Sequence, residues 1–227
     1  MRPPHALNTT VMPAPHEDEI QLYGSVLNSI KMRLARVPPL LTFPLSNGKA
    51  TIDRHQLEYA ALQLRMTIES IALASLVANR RDLEAASIAF HRKDADAAGK
   101  VVKKLNPNYW PRPINVIPAT TPGESWRLEP ITNGFLQECE WRSEWGYLSS
   151  LLHAKNPFTS KPDKVDKSWA LATAKRLGGI HDRVLRLMSY HQVTLVDQNV
   201  VLTALLNAKE DGLVHVQTHV RQDMVAE

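Results

Sequence analysis

Cysteine is nearly absent from this chain. Cys139 stands alone, which excludes an internal disulfide and any zinc site built on paired thiolates. Long apolar runs are missing too. The longest uncharged apolar stretch, Ile71 to Ala78, falls far short of the roughly 20 residues that a membrane-spanning helix needs, so no membrane association is expected. There is no G-x-S-x-G, no phosphate-binding glycine loop and no dinucleotide fingerprint. No pair of histidines stands at helical i, i+4 spacing around a carboxylate. His215 and His219 would share a strand face, but about 13 Å apart at roughly 3.3 Å per residue, too far to hold one ion. Neither a metal nor a cofactor is therefore expected. The N-terminus carries Pro3, Pro4, Pro13 and Pro15 and an acidic His16–Glu19 run, unlike the basic-then-apolar layout of a signal peptide. A cytoplasmic protein is the default expectation.

What the chain does contain suits one domain. Its 227 residues are 44% hydrophobic and 22% charged, enough to bury a sizeable core. The net charge of +4 decides little, but its distribution says more. Lys155 to Arg186 holds eight Lys or Arg against three Asp, and Glu124 to Glu144 holds five Glu against two Arg. Two adjoining solvated faces that attract each other are the plainest explanation. A basic surface for RNA or DNA is the alternative, weakened by the lack of interleaved aromatics.

Prolines partition the sequence. Residues 1–15 are expected to form a flexible arm, followed by a single helical domain over 16–227. Ile20, Tyr23, Leu27, Ile30 and Leu34 predict a helix over Glu17–Val37, ended by Pro38-Pro39. A long helix is expected over Asp53–Asn79, shorter pieces over Asp82–His91 and Asp94–Leu105, and further helices over Thr132–Ala154 and Asp166–His191. Between them, residues 106–130 hold six prolines and read as an irregular excursion, with short strands at Val116 and Trp126–Leu128. Tyr109 and Trp110 within it are expected to pack onto the helices. At the end the period changes. Val214, Val216 and Val220 alternate with His215, Gln217 and His219, and Val193–Leu206 is rich in Val, Thr and Leu. With Lys209–Gly212 as the turn, a β-hairpin over 193–221 follows, its valines toward the core. The expected fold is mainly α, a helical bundle with a C-terminal antiparallel hairpin.

Two polar lines interrupt otherwise apolar helices. Glu58, Arg65 and Glu69 fall within about 40° on a wheel turning roughly 100° per residue. Arg142, Gly146, Ser149 and His153 form a line among Phe135, Trp141, Trp145, Leu148 and Leu152. Buried charge must be paired or face a wet cavity. The two lines are therefore expected to meet in the interior, as a structural seam or as the lining of a site. In a site, Arg142 would bind a carboxylate or phosphate and His153 would move a proton.

The segment Tyr147-Leu148-Ser149-Ser150-Leu151-Leu152-His153-Ala154, with the earlier Leu64-Arg65-Met66-Thr67-Ile68-Glu69, resembles helical proteins encoded by bacteria and their phages. Those are similar in helical layout to the HEPN superfamily, which includes RNases of toxin–antitoxin and abortive-infection systems. The likeness spans Asp53–His191. It implies action on RNA or nucleotides, with Arg65, Glu69, Arg142 and His153 as catalytic candidates. HEPN nucleases also carry an Arg, four to six residues, then a His. Arg176…His181 and Arg186…His191 match that spacing, although Leu follows both arginines where the family has a polar residue. Fifteen Arg and nine His would produce about two such matches by chance. Arg176 and His181 would point about 140° apart on an unbroken helix, unless Gly178-Gly179 breaks it. Two classes stay open: a nuclease of this kind, and a non-enzymatic interaction or regulatory protein whose polar seam is structural. An RNA or protein partner and a homodimer are both compatible with the sequence.

Overall fold

In the computed structural model the described residues are 17–42, 45–46, 49–50, 53–78, 100, 103–104, 106–118, 127–153, 167–195 and 200–220. Among them the chain forms helices α1 (Glu17–Leu40), α2 (Arg54–Ala78), α3 (Trp141–Leu152) and α4 (Lys167–Ser189). A two-residue ladder, β1 (Leu45–Ser46) with β2 (Lys49–Ala50), lies between α1 and α2. The remaining strands are β3 (Arg112–Ile117), β4 (Arg127–Pro130), β5 (Tyr190–Thr194), β6 (Val200–Leu205) and β7 (His215–Val220). They make one antiparallel sheet in the order β4-β3-β5-β6-β7. The expected arm over 1–15 and the helical piece Asp82–His91 lie outside the described residues. Within Asp94–Leu105 only Lys100, Lys103 and Lys104 are described, all helical.

The arrangement is α+β, which corrects the expectation of a mainly-α bundle with a single hairpin. Two misreadings hid the sheet. Val193–Leu206 is not one strand but parts of two, because the chain reverses between Thr194 and Val200 and returns with Tyr190 opposite Leu205. The strand therefore begins directly where α4 ends, at Tyr190. The second concerns the proline-rich excursion: the short strands expected at Val116 and up to Leu128 are present, with Val116 opposite Leu128, but they join the main sheet. Pro113 lies in β3 opposite His191, its carbonyl accepting from Ile131 N–H at 2.9 Å, and Pro130 lies in the edge strand β4. A proline that gives up one ladder donor is tolerated at such margins, so the prolines thin the ladder without abolishing it. The expected hairpin is present as β6–β7. Val200 stands opposite Val220 and Leu205 opposite His215, and the chain turns through Lys209–Gly212 with Gly212 at φ +69°. Val214 and Val216 pack against the core, and His215, Gln217 and His219 are exposed.

α2 is the hub. Leu57, Ala60, Ala61, Leu64, Ile68, Ile71, Ala74 and Val77 are all buried, and α1, α3 and α4 pack around it. α1 turns Tyr23, Leu27, Ile30, Leu34 and Val37 inward and reaches β7, where Gly24 faces Val216. It runs through Pro38-Pro39 to Leu40, slightly past the expected end. α3 starts nine residues later than expected. Gly134 at φ +77° cannot be helical, Leu136 N–H donates to the carbonyl of Arg183 in α4 (3.1 Å), and Gln137 N–H donates to the Glu140 carboxylate (3.0 Å). Tyr109 and Trp110 pack as expected. Trp110 stacks on Trp141 at 6.2 Å and donates to the Leu136 carbonyl at 3.1 Å.

One buried polar pair ties α1 to the sheet. His191 in β5 is fully buried; its Nδ1 faces the Met188 carbonyl at 3.0 Å and its Nε2 the Tyr23 hydroxyl at 2.8 Å. Those partners specify one tautomer, with Nδ1–H donating to Met188 and the Tyr23 hydroxyl donating to Nε2. Burial raises the Tyr23 phenol far above its ordinary range and lowers His191 to about 4, against a weaker opposing effect of the Met188 carbonyl. The unfolded chain then takes up a proton first, below about pH 6.5. The contribution of this site is complete above that pH, declines as pH falls toward about 4, and changes no further below it. Urea unfolding between pH 7 and pH 4 should show this decline, and a Tyr23→Phe, His191→Leu double variant should flatten it. Tyr23→Phe alone strands the His191 acceptor and should destabilise by about 1–3 kcal/mol at neutral pH.

Candidate functional site

The two polar lines do not meet as expected. On α2, Arg65 Nε donates to Glu69 Oε1 at 3.1 Å, but the side chains keep 27% and 28% of their exposure rather than lying sealed in the interior. The group that closes on Glu69 from α3 is Trp145, whose indole N–H donates to the same oxygen at 2.7 Å, with the Arg65 guanidinium 4.8 Å from the ring centre. Glu58 belongs to a different cluster at the start of α2, bonded to Arg54 at 2.6 Å and His55 at 3.0 Å. Burial alone would raise its carboxyl, but those two partners outweigh it and hold the pKa below the usual value.

The α3 line splits between surface and core. Arg142 is exposed, its guanidinium 5.1 Å from the centre of the Trp141 ring, and Gly146 is exposed with open space where a side chain would stand. Among the described residues nothing comes within 4 Å of that open position. Ser149 is buried and donates to the Trp145 carbonyl at 2.8 Å. His153 is exposed and already outside the helix as its C-cap. Arg142 and His153 are eleven positions apart, about 16 Å along an axis rising 1.5 Å per residue. The two therefore stand at opposite ends of α3.

The alternative pair is separated by direction. α4 is continuous through Gly178-Gly179, so the glycines do not turn Arg176 toward His181. Arg176 faces α3, 3.4 Å from the Tyr147 ring centre and 3.5 Å from Glu144. Burial raises the Tyr147 phenol even with that cation beside it. His181 is buried on another side and meets the exposed Asp182 carboxylate at 3.0 Å. His191, of the second matching pair, is the core residue bonded to Tyr23.

The charge asymmetry has a direct structural meaning. Arg183 of α4 bridges two carboxylates at the start of α3, Glu140 at 3.1 Å and Glu144 at 2.5 Å, while Arg176 reaches the other oxygen of Glu144. Two glutamates of the acidic segment and two arginines of the basic one thus attract each other across α3 and α4, while Glu138 pairs with Lys103 and Glu129 with Arg127. Trp145 as the partner of Glu69 was not legible, because indole ranks with the core in any apolar pattern. The Glu140/Glu144 and Arg176/Arg183 pairings were within reach, since each pair sits on one helix face. Among the described residues no three His, Cys, Asp or Glu gather as metal ligands would, and no helix is long and apolar enough to cross a membrane. No known family model, curated protein or solved structure matches the chain, so its functional reading rests on its own residues.

These contacts order the effects of substitution. Arg183→Ala leaves the mostly buried Glu144 with only a longer contact, and should destabilise by about 1–3 kcal/mol. Trp145→Phe, which removes a donor to Glu69, should cost about 1–2 kcal/mol. Arg142→Ala, at an exposed position, should stay within about 0.5 kcal/mol. Denaturant unfolding of the three variants checks the order, and a large loss from Arg142→Ala would contradict the geometry.

Proposed function

We propose that this protein works by binding another polypeptide, not by catalysis, and that it binds through the outer face of the α1–α2 pair. The observation that supports this is where apolar surface stays uncovered. Of the ten exposed large apolar side chains among the described residues, five lie on these two helices: Leu22 and Met32 on α1, and Tyr59, Leu62 and Met66 on α2. Tyr59, Leu62 and Met66 follow at i, i+3, i+7 and so share one stripe. Arg33 joins the helices across it, bonding Gln63 Oε1 and Met66 Sδ, each at 3.2 Å. Single scattered apolar residues need no explanation, but exposed apolar side chains in a row on one helix stripe are the kind of surface that interaction sites use. Several polar residues equipped for chemistry are by contrast committed to one another: Glu69 to Arg65 and Trp145, Arg183 to Glu140 and Glu144, His191 to Tyr23.

A photo-crosslinking side chain placed at Leu62 or Met66 should capture a polypeptide in cells, whereas the same group at Gln217, on the exposed side of β7, should not. Purified protein should leave single-stranded RNA intact in EDTA. RNA cleavage that disappears with His153→Ala, or with His181→Ala, would overturn the proposal in favour of the metal-free Arg–His chemistry of the HEPN resemblance, with the sensitive histidine marking the site.

A further inference from the structure

The outer stripe of α1 reads nearly the same from either end. Residues 18, 22, 25, 29, 32 and 36 recur at spacings of four, three, four, three and four, so they lie in one line on the helix. That line is opposite the buried set Tyr23, Leu27, Ile30, Leu34 and Val37. Its positions are symmetric about residue 27. Leu22 and Met32, the two exposed large apolar residues of α1, stand five positions to either side, and the exposed Ser25 and Ser29 stand two to either side. Charge completes the order. The helix opens on Glu17-Asp18-Glu19, and the exposed Arg36 near its other end has no ion pair among the described residues. Position 18 is as far from 27 as position 36 is.

We infer that α1 pairs antiparallel with α1 of a second copy of this chain, about a two-fold axis at the level of residue 27. Such an axis sets Leu22 against the partner's Met32, Ser25 against the partner's Ser29, and the acidic first turn against the partner's Arg36, each contact occurring twice. A two-fold interface requires a patch complementary to itself, and an apolar and charge order that reverses about one point meets that requirement. Parallel pairing would place Arg36 beside the partner's Arg36. Antiparallel pairing also opposes the helix dipoles. The seam is about 27 Å long at 1.5 Å per residue, and Met66 lies beside it through its contact with Arg33. An interface of one helix from each copy is small, so dissociation should fall on the order of 1–100 µM.

The inference rests on the polypeptide-binding reading and names the partner. Sedimentation velocity of the full chain at low salt, from about 1 to about 300 µM, should show a monomer–dimer equilibrium. Met32→Glu and Arg36→Glu should each weaken it at least about tenfold without altering the circular dichroism spectrum. A chain carrying Arg36→Glu together with Asp18→Arg, which exchanges the charges at both ends, should dimerise again. A chain monomeric throughout, or a dimer indifferent to both single variants, would overturn the inference. If the chain is monomeric but the crosslinker at Leu62 or Met66 captures a different protein, the second-copy assignment falls and the polypeptide-binding reading stands. Failure to capture anything, with RNA cleavage present, removes both.

Discussion

A helix with apolar residues on almost every side must be covered on almost every side, and α2 imposes that constraint on the whole molecule. From Leu57 to Val77 its small and branched side chains meet α1, α3 and α4. Covering three sides of one helix fixes where the other three stand. It also fixes what remains uncovered, the stripe of Tyr59, Leu62 and Met66 beside the outer face of α1. The sheet then closes the assembly, with β5 leaving α4 directly and β7 reaching α1 near Gly24. Tyr23 and His191, both fully buried, tie the helix layer to the sheet by a hydrogen bond, so that junction tolerates little change.

Polar groups follow from the same constraint. Glu69 sits at the rim of α2, where it can be half wet, and takes donors from Arg65 and Trp145. The charged segments around residues 140 and 180 are the edge of the α3–α4 contact, where arginine and glutamate satisfy each other at the surface. Of the residues that looked catalytic, Arg65 and Glu69 are held by each other and by Trp145, and His191 by Tyr23, whereas His153 is exposed at the end of α3. The proposed binding function rests on the apolar side chains left exposed on α1 and α2.

Much of this was legible where one physical signal acts alone. The 3.6-residue period of α1, α2 and α4 and the valine alternation of β7 each report which face is buried, and each places its element within a few residues. Legibility failed where signals compete. Pro113 and Pro130 argue against strands, yet each still offers its carbonyl as an acceptor, as Pro113 does to Ile131. Tyr190-His191 continues the apolar period of α4 but enters the sheet, because His191 gains partners there that a helix would not offer. Gly134 delays α3 although Phe135 and Leu136 fit a helical pattern. At the candidate site, wheel geometry placed Arg65 with Glu69 correctly, but it could not show which residue of α3 comes to face them. That depends on helix rotation, and Trp145 takes the place expected of Arg142 because indole both covers apolar surface and donates a hydrogen bond.

The methionine methyl groups offer the most direct test of a binding face on α1 and α2, since Met32 and Met66 lie on that face and Met188 lies in the core. In a methyl-labelled sample whose concentration is raised in steps, the account predicts that the Met32 and Met66 resonances shift or broaden together while Met188 stays fixed. Resonances of Met32 and Met66 that stay unchanged at every concentration, and also on adding an extract of the cells that make the protein, would contradict it.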